Sequence, residues 1–366
     1  MRVALIHDYL NQWGGAEKVL QAFCEIWPEA PIFTLVYDEK VTRGFFKEKR
    51  ICTSFLQKFP FLKNNHRLFL MFMPQAIESF NLSGYDLVLS DSASYAKGVI
   101  TRPETLHISY CHTPLRYVWD DNQKYVNEFC FPEIIKKFSS FPRSWLRIWD
   151  KEAASRVDKF IANSSFVKKR IKKYYGRNSK VIHPPLNSQN FGLGKVKDYF
   201  LMVGRLLPYK KFDLAIETFN KLQKPLKIIG EGPDKKRLKK MAKKNIEFLG
   251  EIVSDLELGK YYSGALALLF PQEEDFGIVA LEAMASGRPI IAYSKGGALE
   301  TVVDGRTGIF FDEQSPVALE AVIRKFNPND FDSQFIRQHA LKFDKEIFKK
   351  KIKNFVEKSY KEFKTH

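Results

Sequence analysis

Short apolar runs of strand length alternate with amphipathic stretches of helical period along both halves of this chain, and no other feature constrains its fold as strongly. Strands that carry helices on both faces of their sheet read as near-continuous apolar runs, and such sheets are parallel. In the first half the runs are Val3–His7, Pro31–Tyr37, Asp86–Ser90, His107–Cys111 and Lys159–Asn163. In the second they are Tyr199–Val203, Leu226–Ile229, Ile246–Leu249, Ala265–Pro271 and Ile290–Tyr293. The pattern predicts an α/β chain of two Rossmann-like domains with parallel sheets. With 366 residues, 45% of them hydrophobic, two full cores are within reach. Pro184, Pro185, Asn187, Asn190, Gly192 and Gly194 mark an irregular join, which divides the chain into residues 1–187 and 188–345. Neither half carries a G-x-G-x-x-G fingerprint followed by a ribose-binding acid, which argues against a nicotinamide dehydrogenase. A last helix, from Asp344 to about Glu362, is basic on one side.

The formal charge of +17 and the isoelectric point near 9.5 call for an anionic partner: nucleic acid, an anionic membrane face or a phosphorylated substrate. Charge alone does not choose among them, but no recognised nucleic-acid module is present. Cys24, Cys52, Cys111 and Cys130 form no C-x-x-C pair and have no histidine at zinc spacing, so neither a metal framework nor disulfides are expected and a reducing cytoplasm fits. The apolar run at Val3–Ile6 is too short for a signal peptide core. No run approaches the ~18 apolar residues of a membrane span.

Chemistry concentrates in the stretch from Glu274 to Gly287. An apolar run of helical period follows Gly277 and is stopped by Gly287-Arg288-Pro289, so a helix is predicted to begin at Gly277. Glu274 then stands in the loop before the helix and Glu282 about a turn inside it. Between them, first-turn amides without helical acceptors make an anion site that the macrodipole reinforces. A sugar nucleotide suits this pairing of carboxylates for hydroxyls with bare amides for a diphosphate. The plainer alternative is a surface helix whose glutamates merely favour its dipole.

The stretch resembles the Glu-x7-Glu motif of the retaining glycosyltransferases of family four, which have the GT-B fold of two Rossmann-like domains facing each other across a cleft. The resemblance implies that Glu274 contacts the donor sugar, that Glu282 contacts the nucleotide ribose, and that Phe276, Gly277, Ile278 and Val279 line the donor. It also implies that Arg205 and Lys210, five residues apart after the first strand of the second domain, converge on the donor diphosphate. Fixed positive charge there replaces a metal ion, so no metal or cofactor is expected. Gly230 and Gly232 match a turn bordering the nucleotide, where a plain tight turn is the other reading. Phe248 to Val253 falls where the family holds the base, and Gly296-Gly297 matches the loop after the motif helix. Gln272 departs from the serine frequent at its position. The C-terminal helix, about 346–366, is expected to pack back onto the first domain.

In the first domain, Gly14 and Gly15 sit between a strand and a helix, matching the family's glycine loop against the donor. His112 matches the active-site histidine, with Arg116, Tyr117 and Trp119 beyond it as acceptor-side candidates. The run Tyr110 to Asp120, with His7-Asp8-Tyr9-Leu10, Ala96 to Val99 and Trp149 to Asp158, is most similar to bacterial O-antigen and polysaccharide mannosyltransferases. Seven Lys or Arg residues from Arg43 to Arg67 interleave with Phe45, Phe46, Phe55, Phe59 and Phe61 against one acid, Glu48. Phe129 to Trp149 repeats the mixture with Lys136, Lys137, Arg143 and Arg147. Such surfaces suit an anionic membrane and a lipid diphosphate, although lysines over a Phe-rich core read the same way.

The implied activity is retaining, metal-independent transfer of a hexose, with mannose from GDP-mannose as the expected donor, to a lipid-linked or polysaccharide acceptor. The expected location is cytoplasmic, peripheral on the inner face of the membrane. A GT-B-fold UDP-sugar epimerase and a non-catalytic basic protein that binds nucleic acid or membrane are the rival readings.

Overall fold

The computed structural model describes residues 1–59, 69–119 and 140–365, without the side chains of 140–142. The chain divides into two compact units, Met1–Pro185 with Phe348–His366, and Leu186–Ile347. In the first unit β1 (Val3–His7), β2 (Ile32–Thr34), β3 (Ile51–Thr53), β4 (Leu87–Ser92), β5 (Leu106–Cys111), β6 (Lys159–Ala162) and β7 (Ser179–Val181) form one parallel sheet in the order β3-β2-β1-β4-β5-β6-β7. In the second, β8 (Phe200–Val203), β9 (Leu226–Ile229), β10 (Ile246–Gly250), β11 (Leu268–Phe270), β12 (Ile290–Tyr293) and β13 (Gly308–Phe311) pair in parallel in the order β10-β9-β8-β11-β12-β13. Each order reverses beside the unit's first strand, between β1 and β4 and between β8 and β11. Beyond the C-terminal strand ends at such a reversal, crossovers depart in opposite directions and leave room for a ligand.

Strand alternation decides which core each residue enters. Val3 and Leu5 of β1 go to one face of the first sheet, and Ala4 and Ile6 go to the other. Phe200 and Met202 of β8 likewise part from Leu201. The sequence reading lacks β3, β7 and β13, which are edge strands. An edge strand is paired on one side only, so half-exposed residues such as Ser179 and Val181 satisfy it without an apolar run. The reading also overextends two strands. Of Pro31–Tyr37 only Ile32–Thr34 is strand, with a lone bridge from Leu10 to Tyr37, and of Ala265–Pro271 only Leu268–Phe270.

Helix ends follow local chemistry. The Ser164 hydroxyl accepts from Val167 N at 3.0 Å to start the helix Ser165–Tyr175, and Gly176 ends it in the left-handed region. The last helix, Lys345–Lys364, buries Phe348, Ile352 and Val356 at intervals of four, one stripe along its length. That stripe joins the first unit's core, where the Phe348 ring lies 5.9 Å from Phe23 and 5.8 Å from Tyr110. Lys349 pairs with Glu25 at 3.1 Å on the rim. Cys24 and Cys52 are free thiols, and Cys130 lies outside the described residues.

Phe348 therefore anchors the C-terminal helix. Phe348→Ala should destabilise the protein by about 3–5 kcal/mol, the cost of removing a fully packed aromatic ring. Its exposed neighbour gives the control: Ile347→Ala should shift stability by no more than about 0.5 kcal/mol. Urea unfolding of both variants followed by circular dichroism measures the contrast, and equal losses would show that the helix is not held by this ring.

Candidate functional site

Beyond the C-terminal ends of β8 and β11 two loops meet. β8 runs into Gly204 and the exposed Arg205, then a 3-10 turn at Pro208–Lys210 leads to the helix Phe212–Leu222. β11 runs through Pro271 into Gln272, Glu273 and Glu274 before the helix Ile278–Ala285. Because the two strands are neighbours, Lys210 Nζ forms an ion pair with Glu274 Oε1. Gln272 Nε2 donates to the same oxygen at 3.1 Å. The Lys210 and Glu274 side chains keep 15% and 16% of their surface exposed, so the pair is sheltered yet reachable.

Gly277, at φ +89°, turns the chain into the Ile278–Ala285 helix, where Ile278 and Val279 are partly exposed and Phe276 is buried against Phe343. At the far end the Arg337 guanidinium donates to Ala285 O, which complements the negative pole of the dipole. The Glu274 loop is shaped from behind by Gly297, whose N–H donates to Glu274 O at 2.7 Å. A Cβ on Gly297 would come within 2.3 Å of Phe276 Cα, so only glycine allows that approach. Glu282 is 3% exposed, and Tyr262 donates its hydroxyl to Glu282 Oε2 at 2.9 Å. Burial, and then the neighbouring carboxylate, raise the Tyr262 phenol well above its usual range, so it stays a donor.

Two donor-side expectations take a different physical form. The glycines at 230 and 232 admit protein backbone: a Cβ on Gly230 would lie 1.9 Å from Gly204 O, and one on Gly232 would lie 2.4 Å from Leu206 O. Leu206 N donates to Glu231 O at 2.9 Å across this contact, so the two glycines hold the Arg205 loop in place. Phe248 points to the core shared with the helix Phe212–Leu222, because side chains alternate along β10. Its neighbour Leu249 packs against the core on the opposite face of the sheet and lines a cavity of about 460 Å³ with Glu251, Ile252, Val253, Ser254, Glu257 and Tyr261.

In the first unit the strand reversal carries a buried charge cluster. His7, last in β1, lies in register with Asp91 of β4, and their side chains meet at 2.9 Å, Nδ1 to Oδ2. His112, just past β5, donates Nε2–H to Asp91 Oδ1 at 2.6 Å. Glu17 Oε1 lies 3.5 Å from His7 Nε2 and accepts from Gln12 at 3.1 Å. Gly14 and Gly15 open the helix Gly15–Ile26, and a Cβ on Gly14 would meet Glu17 Oε2 at 3.4 Å. Burial by itself would lower the His7 pKa, but the hydrogen bonds and charges of Asp91 and Glu17 outweigh it and raise it to about 10. Burial works upward on Asp91, and His112 and His7 still hold its carboxyl below the usual range.

Of the acceptor-side candidates, Tyr117 and Trp119 spend their polar atoms inside the unit. The Tyr117 hydroxyl bonds Tyr95, and Trp119 Nε1 donates to Asp150 Oδ2 at 2.6 Å while its ring stacks on Tyr174 at 4.9 Å. Arg116 is half-buried in the same short helix, Arg116–Trp119, and Asp120 lies outside the described residues. Buried Lys97 pairs with Asp150 at 2.5 Å beneath them. Gln272, Tyr262, Glu17 and Asp91 were not marked as site residues by the sequence. Asp91 had a signal, an acid closing an apolar strand. Among the described residues no group of three His, Cys, Asp or Glu side chains is arranged to hold a metal ion.

Comparison with known proteins agrees with this layout. Residues 13–190 match the family "Glycosyltransferase Family 4", and residues 185–342 match "Glycosyl transferases group 1". An uncharacterized glycosyltransferase of Methanocaldococcus jannaschii is 28% identical over 59% of this chain and 63% of its own length. The alpha-1,3/1,6-mannosyltransferase ALG2 of Mus musculus is 28% identical over 67% of this chain and 66% of its own. The chain thus spans less than two thirds of the length of these relatives. Among solved structures, HepE of Anabaena in complex with UDP-glucose superposes with a TM-score of 0.73 at 16% identity, covering 98% of this chain and all of the other. WaaG, a glycosyltransferase involved in lipopolysaccharide biosynthesis, superposes at 0.69 and 15% identity, covering 97% and 99%. At such identity the likeness speaks for the fold, which is GT-B. With the two family matches running consecutively over residues 13–342, the chain belongs to the group 1/family 4 glycosyltransferases of the GT-B fold.

Proposed function

We propose that the second unit binds a nucleoside diphosphate sugar and that the enzyme transfers the hexose, mannose from GDP-mannose, with retention and without a metal. The acceptor in this reading is lipid-linked or a polysaccharide, in cell-surface glycan assembly. The observation that carries it is the meeting of Lys210, Glu274 and the first turn of Ile278–Ala285 at the strand reversal. Free of donor, Lys210 and Glu274 hold each other. A bound donor divides them, Lys210 with Arg205 going to the diphosphate and Glu274 to the sugar hydroxyls. The two cations and the helix amides stabilise the charge that builds on the departing diphosphate, the work a divalent ion does elsewhere. In front-face transfer the leaving oxygen itself helps to take the acceptor proton, so no strong enzymic base is needed. Gln272 keeps Glu274 aimed, Glu282 meets the ribose with Tyr262 holding one of its oxygens, and His112 is the first unit's own candidate for contact with a substrate hydroxyl. The mannosyltransferase relatives support mannose, whereas UDP-glucose in the Anabaena structure makes a uridine donor the competing outcome.

The acceptor side of the proposal rests on surface chemistry. Phe45, Phe55, Phe59 and Phe72 are exposed beside Lys47, Arg50 and Lys58, and Trp145 and Ile148 are exposed on the helix Ser140–Ser155. Lys49 is turned inward, where Nζ donates to Cys24 O at 3.4 Å and to Pro28 O past the end of the helix Gly15–Ile26. Phe61, Lys63, Arg67, Phe129, Lys136 and Lys137 lie outside the described residues. No helix among the described residues is long and apolar enough to cross a membrane. We place the enzyme on the inner face of the cytoplasmic membrane, held by these basic and aromatic side chains.

A panel of nucleotide sugars, assayed for nucleotide release with and without lipid-linked acceptors, tests the donor reading. GDP-mannose should be turned over fastest, and a preference for a UDP-sugar would replace mannose in the proposal. Arg205→Ala, Lys210→Ala and Glu274→Ala should each cost on the order of 3 kcal/mol of transition-state stabilisation, or ~100-fold in rate, with the fold retained. Near-normal transfer by two of the three would show that the site is elsewhere.

Transfer should survive exhaustive EDTA treatment, and the product should keep the donor's anomeric configuration by NMR. Loss of activity restored by Mg2+ would remove the metal-independent mechanism, and an inverted product would remove the retaining one.

On anionic vesicles, the triple change of Lys47, Arg50 and Lys58 to Glu should reduce sedimentation, since each cation near the headgroups contributes roughly 1 kcal/mol. The difference should vanish as salt rises. Equal sedimentation of wild type and variant at low salt would point to a soluble acceptor.

A further inference from the structure

Four titratable side chains in the first unit form one chain of contacts, Glu17–His7–Asp91–His112, and the structure gives three of them no route to solvent. His7, Glu17 and Asp91 keep 3%, 1% and 0% of their side-chain surface, whereas His112 keeps 13%. The network thus has its outlet at the His112 imidazole. Burying two carboxylates and an imidazolium is costly unless each is paired, so such a group is retained where its charge has a task.

The bonding pattern says what the task is. An ionised carboxylate only accepts, so both ring nitrogens on Asp91 carry hydrogens: Nδ1 of His7 at 2.9 Å and Nε2 of His112 at 2.6 Å. His7, held charged by Asp91 and Glu17, keeps Asp91 ionised in turn. The His112 backbone is tied on both sides, its N–H to Ser92 O at 2.8 Å and its carbonyl to Asn163 Nδ2 at 3.0 Å. Its ring meets Tyr110 edge-on at 5.2 Å.

We infer that Glu17, His7 and Asp91 are positioning residues that, whenever the His112 ring is neutral, lock it in its Nε2–H tautomer, so that Nδ1 presents a lone pair to a substrate hydroxyl. The lock starts at the glycine turn: Glu17 lies in the first turn after Gly14 and is steadied by Gln12. A disturbance of that turn therefore reaches His112 through three buried side chains. Asp8, the remaining acid near His7, is taken up separately, accepting from the amides of Ala93, Tyr95 and Ala96 at 2.7, 2.7 and 2.6 Å. The use made of Nδ1 rests on the glycosyltransferase reading above, but the tautomer itself does not.

The test is nitrogen-15 NMR of the full-length protein with labelled histidine, the His112 signals being identified by their loss in His112→Gln. In the neutral form wild type should show one proton-bearing nitrogen, Nε2, and an unprotonated Nδ1, without averaging between tautomers. A protonated Nδ1, or an averaged pair of signals, overturns the proposal with no variant required. Asp91→Asn should release the lock and give averaged signals, and Glu17→Gln, which can keep its bond to Gln12, should weaken it. Unchanged His112 signals in Asp91→Asn overturn the assignment of Asp91. With GDP-mannose as the probe, His7→Gln should lower kcat on the order of tenfold while leaving KM alone, the pattern of lost orientation in place of lost binding. A locked tautomer in a protein that turns over no nucleotide sugar would sustain this inference and defeat the glycosyl-transfer reading.

Discussion

Parallel pairing of every strand is the constraint on which the rest depends. Parallel neighbours cannot be joined by hairpins, so each strand returns through a crossover and all C-terminal ends in a sheet collect along one edge. Where the order reverses, at β1 and β4 and again at β8 and β11, that edge opens. The His7–Asp91 contact and the Lys210–Glu274 contact stand at those two reversals. Residues 84 and 64 positions apart in sequence become hydrogen-bonded partners for no other reason than sheet order.

Backbone proximity then sets the loops. The Arg205 loop and the Glu274 loop are each supported by glycines from another crossover, Gly230 and Gly232 behind the first and Gly297 behind the second. The absent side chains allow one main chain to lie on another, and hydrogen bonds such as Leu206 N to Glu231 O close the contact. These glycines therefore act on protein backbone. They fix where the charged side chains in front of them begin, which is the preorganisation that electrostatic catalysis requires.

Charge is handled differently in the two units. In the second, Lys210 and Glu274 form a sheltered pair that still keeps part of its surface exposed. In the first, buried Lys97 binds Asp150, whose other oxygen also accepts from Trp119 and Tyr175, and His7 is shared between Asp91 and Glu17. Such pairs stabilise little relative to apolar packing, but removing one partner leaves a buried charge uncompensated. They act as rigid struts for the side chains at the surface, His112 and Trp119 among them.

Arg205, Lys210 and His112 became candidates only through the family resemblance, whereas apolar periodicity and local turn chemistry were enough to read two parallel α/β domains, an irregular join and a helix after Gly277 with Glu274 before it and Glu282 inside it. These features follow from near neighbours in sequence, since strand runs, caps and glycine breaks express themselves within a few residues. Edge strands β3 and β7 escaped because half-exposed strands carry no continuous apolar signal, whereas the apolar run of β13, Gly308–Phe311, was passed over. Phe248 and Leu249 could not be told apart in the sequence, because only the sheet decides which of the two faces of β10 also borders the cavity. Tertiary structure alone brought Lys210 to Glu274, Tyr262 to Glu282, and Glu17, His7 and Asp91 to His112. Most of these contacts join different crossovers of one sheet, and their geometry is a property of strand order, which no local pattern encodes.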